Sequence, residues 1–192
     1  MLKSTSLSFL GLAVAATAAH ADCAAEVKSM AAAITAAGPL RYAITDNSSG
    51  KPMAITMELV PATAMRFAWE GGEQVFTLSG GWIKVGGAWQ PAPQGAVDES
   101  QAELKAPWWA QPEKLANLKC LGAQSFAGKK LPAYSFDVEA FLCARALQHL
   151  TLYKGKNNLP VAMQVLKQGQ SSSGALAARI IFDKTIKIAP PQ

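Results

Sequence analysis

The sequence predicts an α+β domain built on one large curved antiparallel sheet of about ten strands. An N-terminal helix and short mid-chain helices accompany the sheet. Three observations lead there. Apolar periodicity switches from helical spacing to alternation after Leu40. Glycine-rich punctuation then recurs at hairpin spacing. A proline-bounded stretch from Pro91 to Pro112 separates two runs of strands. The length of 192 residues suits a single domain at ~150 residues per domain. Apolar residues at 50% against 16% charged exclude a disordered chain. The net charge is +5, with basic residues scattered singly, so no nucleic-acid footprint is expected.

The first segment reads as an export address. Lys3 supplies a positive start, and Leu7 to Ala19 is apolar apart from Ser8 and Thr17. Ala19-His20-Ala21 offers the small-x-small pattern of a cleavage site. Residues 1–21 are therefore expected to be a signal peptide cleaved after Ala21, leaving 22–192 as a single periplasmic domain. The run is shorter than the ~20 apolar residues a bilayer span needs. No later run reaches that length, so the mature chain is expected to carry no transmembrane segment. Cys23 follows Asp22 rather than a small lipobox residue, so no lipid anchor is expected.

The elements follow in order. Asp22 to Ala37 reads as a helix, with Cys23, Val27, Met30 and Ile34 on one stripe. Gly38 and Pro39 end it. Strands then alternate: Met53, Ile55, Met57 and Leu59, followed by Met65, Phe67 and Trp69, then Phe76 and Leu78. Turns fall at Asn47 to Gly50, Gly71-Gly72, Gly80-Gly81 and Gly86-Gly87, giving about five strands up to Trp89. Asp98 is placed to cap a short helix, with Gln101 reaching back as in a capping box. Pro107 stops that helix, and Pro112 begins another turn. Five strands resume at 120–126, 131–139, 147–154, 159–167 and 176–188. Phe141 to Arg145 reads as irregular or one helical turn, and Gln168 to Gly174 as a polar loop.

Catalytic chemistry finds little support. His149 is the only histidine after the leader, on a strand whose opposite face carries Leu150 and Leu152. No GxSxG elbow, HExxH pair or phosphate-cradling glycine loop is present. Asp137 and Glu139 share one strand face, which solvation explains better than a glycosidase pair. Asp98, Glu99 and Glu103 suit the start of a helix. Cys23, Cys120 and Cys143 lack a CxxC spacing, so neither a metal nor a cofactor is expected. In an oxidising compartment two of the three pair. The apolar strand faces are more informative. Ile55, Met57, Phe67, Trp69, Phe76, Trp82, Met163 and Val165 form a large, deformable surface that three short helices do not fully cover. The competing reading is ordinary core. Trp108-Trp109 reads either as a lid or as a packed plug.

Several stretches resemble the LolA/LppX/RseB-like superfamily of exported lipid-handling domains. Pro61 to Trp69 resembles its proline link into an aromatic strand, and Val75 to Trp82 its next hairpin. Leu118 to Gly122, with Phe126-Ala127-Gly128 and Tyr134, resembles the opening of its second half. Leu152 to Met163, with Leu159-Pro160-Val161, resembles its Leu-Pro-Val hairpin. The resemblance implies an unclosed half-barrel with helices over its concave face. It also implies carriage of a lipid, acyl chain or lipidated protein in the cell envelope, without catalysis. The alternative is an interaction or sensor module with a filled core that binds an envelope protein. The favoured cysteine pair is Cys23–Cys120, because Cys23 lies on the buried helical stripe and Cys120 on the strand set it would cross. Pairings with Cys143 stay open.

Overall fold

The computed structural model describes residues 13–47, 51–138, 147–167 and 176–191. Helix α1 spans Ala13–Ala37 and so starts before the expected Asp22. Six strands follow: β1 Leu40–Asp46, β2 Met53–Val60, β3 Ala64–Trp69, β4 Gly72–Thr77, β5 Gly80–Val85 and β6 Ala88–Pro91. Helix α2 is Gln94–Lys105, and two 3₁₀ turns occupy Trp108–Ala110 and Pro112–Lys114. Five strands complete the chain: β7 Ala116–Phe126, β8 Lys129–Val138, β9 Gln148–Lys154, β10 Pro160–Lys167 and β11 Leu176–Phe182.

The described strands form one antiparallel sheet of eleven, in the order β6-β5-β4-β3-β2-β1-β11-β10-β9-β8-β7. Two sequential meanders therefore meet where the last strand returns to the first, with Leu40 opposite Phe182 and Tyr42 opposite Ile180. The sheet does not close. Its edges, β6 and β7, are consecutive in sequence and are linked by the segment carrying α2. A two-residue hairpin joins β5 to β6 through Gly86 and Gly87, at φ 58° and 87°. A two-residue turn with both φ positive matches the right-handed twist of its strands, and glycine adopts it without steric cost.

Alternation divides the sheet into two faces. The inner face carries Leu40, Tyr42, Met57, Leu59, Met65 and Phe76 in the first half, and Tyr134, Phe136, Leu150, Leu152, Met163 and Val165 in the second. The α1 stripe of Cys23, Val27, Met30 and Ile34 completes this core, as the helical spacing predicts. Val97 and Leu104 of α2 join it, and α2 packs over β3, β4 and β5. The outer face of the first half is a charge ladder. Arg41 and Arg66 both pair with buried Glu58, at 2.7 and 3.1 Å. Arg66 and Lys84 reach on to Glu73, and Lys84 lies over the Trp89 ring.

Local expectations fail where tertiary contacts compete. Helix α2 begins at Gln94, not Asp98, and Pro93 at its N-cap makes no side-chain cap. The Gln101 amide instead donates to the carbonyls of Thr77 and Leu78, fastening α2 to the β4–β5 hairpin. The last strand ends at Phe182 rather than Ile188. The Asp183 carboxylate accepts from the Thr185 amide and hydroxyl, and the Ile186 amide bonds the Asp183 carbonyl, so the chain turns there. Strand β7 starts at Ala116, earlier than Cys120. The expectations for Phe141 to Arg145, including Cys143, for Gln168 to Gly174 and for Ser48 to Gly50 fall outside the described residues, as does Glu139.

Candidate binding cavity

At the β1–β2 end of the inner face the core gives way to a cavity of about 310 Å³. Its position follows from register. Asp46 is paired with Met53, Ile44 with Ile55, and Ile55 with Trp69, so all five side chains share the inner phase. Phe67 and Gln74 form the next inner pair. Leu176, at the start of β11, completes the lining. Asp46 and Gln74 bring a carboxylate and an amide to an otherwise apolar wall. Gly72 sets the place of the Trp69 ring: a Cβ there would run into the indole.

The residues expected to line a ligand site separate into three groups. Ile55, Phe67 and Trp69 line the cavity. Met57, Phe76, Met163 and Val165 are at most 1% exposed and belong to the closed core beneath α1 and α2. Phe76 stacks edge-on against Phe67 at 6.4 Å, forming the boundary between core and cavity. Trp82 lies on the outer face. Phe76 pairs with Gly81, which puts Val75 and Trp82 in the opposite phase. Trp82-Ile83 is apolar at both positions, so alternation alone leaves its face open; the β4–β5 hairpin decides it, turning at Leu78-Ser79 rather than at the expected Gly80-Gly81, which lie inside β5 and pair with Thr77 and Phe76. Ile44, Asp46, Met53, Gln74 and Leu176 were not among the expected lining residues. Gln74 was recoverable, because it sits two residues before Phe76 on the same phase.

A second cleft, of about 400 Å³, lies between the C-terminal end of α2 and β8, with Glu103, Trp108, Lys114 and Asp137 in its wall. Trp108 packs on Phe136 at 5.2 Å and on Trp109 at 5.5 Å, and Trp109 is buried. The tryptophan pair is a packed plug. His149 Nδ1 sits 2.7 Å from Asp137 Oδ1, and the Asn117 amide donates to Asp137 Oδ2 at 2.6 Å. The Asn117 hydrogen bond, then that of His149, holds the Asp137 carboxyl below its usual range. Asp137 and His149 are direct cross-strand neighbours in the phase opposite Phe136 and Leu150. The hydrogen bonds to this pair among the described residues bring an amide and no hydroxyl or thiol, so they assemble no nucleophile.

Helix α1 is held to the second half of the sheet by the Cys23–Cys120 disulfide, whose Cα atoms are 5.5 Å apart. One turn along, Glu26 accepts from the Tyr134 hydroxyl and from Lys154 Nζ. The Lys154 hydrogen bond, then that of Tyr134, lowers the Glu26 pKa. Burial, then the Glu26 contact, raises that of Tyr134. Asn158 adds a hydrogen bond to Ser29. Among the described residues no group of three or more His, Cys, Asp or Glu could hold a metal ion, and no helix is long and apolar enough to cross a membrane.

No protein-family model and no curated protein matches the chain by sequence. Solved structures match it by fold. Lipoprotein LppX of Mycobacterium tuberculosis superposes with a TM-score of 0.57 at 10% identity, over 88% of this chain and 99% of LppX. LprF of Mycobacterium bovis gives a TM-score of 0.54 at 11% identity, over 89% of this chain and 97% of LprF. The chain thus shares the fold of LppX and LprF, an unclosed half-barrel such as the short sequence resemblances imply.

Proposed function

We propose that this chain is an exported, periplasmic, non-enzymatic binding protein that carries a lipid, an acyl chain or another hydrophobic envelope molecule. The observation that carries this reading is the solvent-reachable apolar cavity on the inner face, within a fold shared with the lipoprotein LppX. The driving force is transfer of hydrocarbon from water. At ~0.8 kcal/mol per buried methylene, ten methylenes contribute about 8 kcal/mol before ordering costs. The oxidised Cys23–Cys120 pair suits an exported protein, as does the cleavage pattern ending at Ala21.

A second reading has its own support. Met57, Phe76, Met163 and Val165 fill the centre of the inner face, so a larger ligand would have to displace core. On that reading the domain is an interaction or sensor module that binds an envelope protein or a lipidated protein through its surface. Native mass spectrometry of protein recovered from the periplasm, followed by lipid extraction, separates the two. Carriage predicts a chain starting at Asp22 with a hydrophobic molecule retained. Phe67→Leu is then expected to change the affinity for a fluorescent fatty-chain probe at nearly constant melting temperature, because the swap stays apolar. Empty protein that takes up no probe would favour the interaction module.

A further inference from the structure

We infer that the β7–β11 half of the sheet docks on an anionic lipid bilayer through its lysine-bearing turn end, with the cavity held at the other end. The inference concerns a surface apart from the cavity and goes beyond the carrier reading. The modest net charge of the chain hides an asymmetry. Residues Asp22 to Asn117 hold seven basic and ten acidic side chains, whereas Leu118 to Gln192 hold ten basic and three acidic, a balance of −3 against +7. Strand register gathers five of those ten. Ala133 is opposite Tyr153, Tyr153 opposite Ala162, and Ala162 opposite Arg179. Continued toward the turns, these pairings bring Lys129 and Lys130 at the start of β8, Lys156 between β9 and β10, and Lys184 and Lys187 after β11 to one end of the sheet. Three strand spacings of ~4.8 Å spread them over about 15 Å. All five are exposed, and none forms an ion pair with another described residue.

Carboxylates on the neighbouring elements are engaged: Glu26 by Lys154 and Tyr134, Glu58 by Arg41 and Arg66, and Asp183 by Thr185. The strip therefore presents uncompensated positive charge, and its complement is a dense negative surface. Apolar side chains within the strip favour a bilayer over a soluble polyanion. Val161 and Ile181 are 37% and 46% exposed. Val161 lies over Gly155, next to Lys156, and Ile181 is three residues before Lys184. At a membrane interface such side chains sink below the headgroups, while lysine stems lie along the apolar surface and their amines reach the phosphates. A soluble polyanion offers the two apolar side chains nothing. The cavity wall includes Ile44, Asp46 and Leu176, at the opposite ends of β1 and β11 from Leu40 and Phe182. Docking through the lysines thus leaves the cavity away from the bilayer.

The test is sedimentation of the oxidised mature protein with vesicles of phosphatidylcholine alone and of equal parts phosphatidylcholine and phosphatidylglycerol. At low salt the anionic vesicles are expected to bind at least ~10-fold tighter, with the gap narrowing as salt rises. Each lysine near an anionic surface is worth ~5-fold in partitioning, so Lys129→Ala with Lys130→Ala should weaken binding by about 25-fold. Lys105→Ala with Lys114→Ala removes the same charge around the cleft walled by Asp137, seven residues along β8 from Lys130, and should change binding by under ~2-fold. Val161→Ser with Ile181→Ser should reduce the binding that survives high salt. Circular dichroism and thermal melting confirm that each variant is folded. The lysine variants should bind the fluorescent fatty-chain probe as the wild type does, so failure of that probe bears on the carrier reading and not on this inference. Equal binding to neutral and anionic vesicles, or equal loss from the two lysine pairs, overturns the inference. Retention on immobilised polyglutamate without uptake by anionic vesicles also overturns it and assigns this end to an acidic protein.

Discussion

Removing the covalent tie between α1 and the sheet tests how this fold is held. The perturbation is Cys120→Ala. Cys120 is exposed, so truncating it removes little packing, whereas Cys23 is 1% exposed and its free thiol remains as a small apolar group in the core. The bridge spans a sequence separation of 97. Cross-linking a loop of ~100 residues removes about 4.7 kcal/mol of unfolded-state entropy, and loss of native bridges costs ~2–5 kcal/mol in practice. For a domain of this size each kcal/mol moves the midpoint by ~2–4 °C, so thermal melting is expected to fall by roughly 10 °C. Far-ultraviolet circular dichroism at 25 °C should not change. The Glu26 contacts with Tyr134 and Lys154, and Asn158 with Ser29, still dock the helix. Dithiothreitol should reproduce the shift in the wild type and have no effect on the variant. A wild-type midpoint indifferent to reductant would refute the reasoning, as would peptide mapping that links Cys143 to either partner.

The remaining predictions address other parts of the molecule. Glu58→Ala strips two arginines of their shared buried partner and leaves like charges side by side. Hydrogen bonds to charged groups are worth ~1.5–3 kcal/mol, and the half-exposed guanidiniums lower the cost, so a loss of about 2 kcal/mol in urea unfolding is expected. The depressed pKa values of Glu26 and Asp137 stabilise the fold above the ordinary carboxylate range. That contribution disappears as pH falls through their lowered folded values. Glu26→Gln should lower stability at neutral pH and flatten the acid limb of a stability–pH curve; an unchanged limb would count against the Lys154 and Tyr134 contacts. Gly72→Ala drives a methyl into the Trp69 indole, costing ~1–3 kcal/mol in chemical unfolding and shifting probe affinity several-fold. Met163→Leu, in the closed core, should change stability by under ~1.5 kcal/mol and leave probe affinity untouched.

The order of elements was legible because each leaves a local trace. The Cys23–Val27–Met30–Ile34 stripe, the alternation through β2 and β3 and the glycine turns are written over spans of a few residues. The helical stripe and the strand alternation also say which side of each element is apolar. Three of the eight residues that line the cavity, Ile55, Phe67 and Trp69, were visible on those grounds.

The sequence alone did not say which inner-phase residues would be covered. Met57 and Phe67 are paired directly across β2 and β3, yet one is core and the other lines the cavity. That difference is one of cover, set by where distant parts of the chain pack on the sheet, as when Gln101 fastens α2 to carbonyls more than twenty residues earlier. Leu176 reaches the cavity because β11 returns to pair with β1, a contact between opposite ends of the chain. Trp82 went to the outer face through hairpin register, and the last strand stopped where Asp183 captured Thr185. Side-chain periodicity, set by neighbours in the chain, therefore determined the elements and most of their apolar faces. The cavity and its polar groups were decided by cover and register, which depend on pairings between residues far apart in sequence.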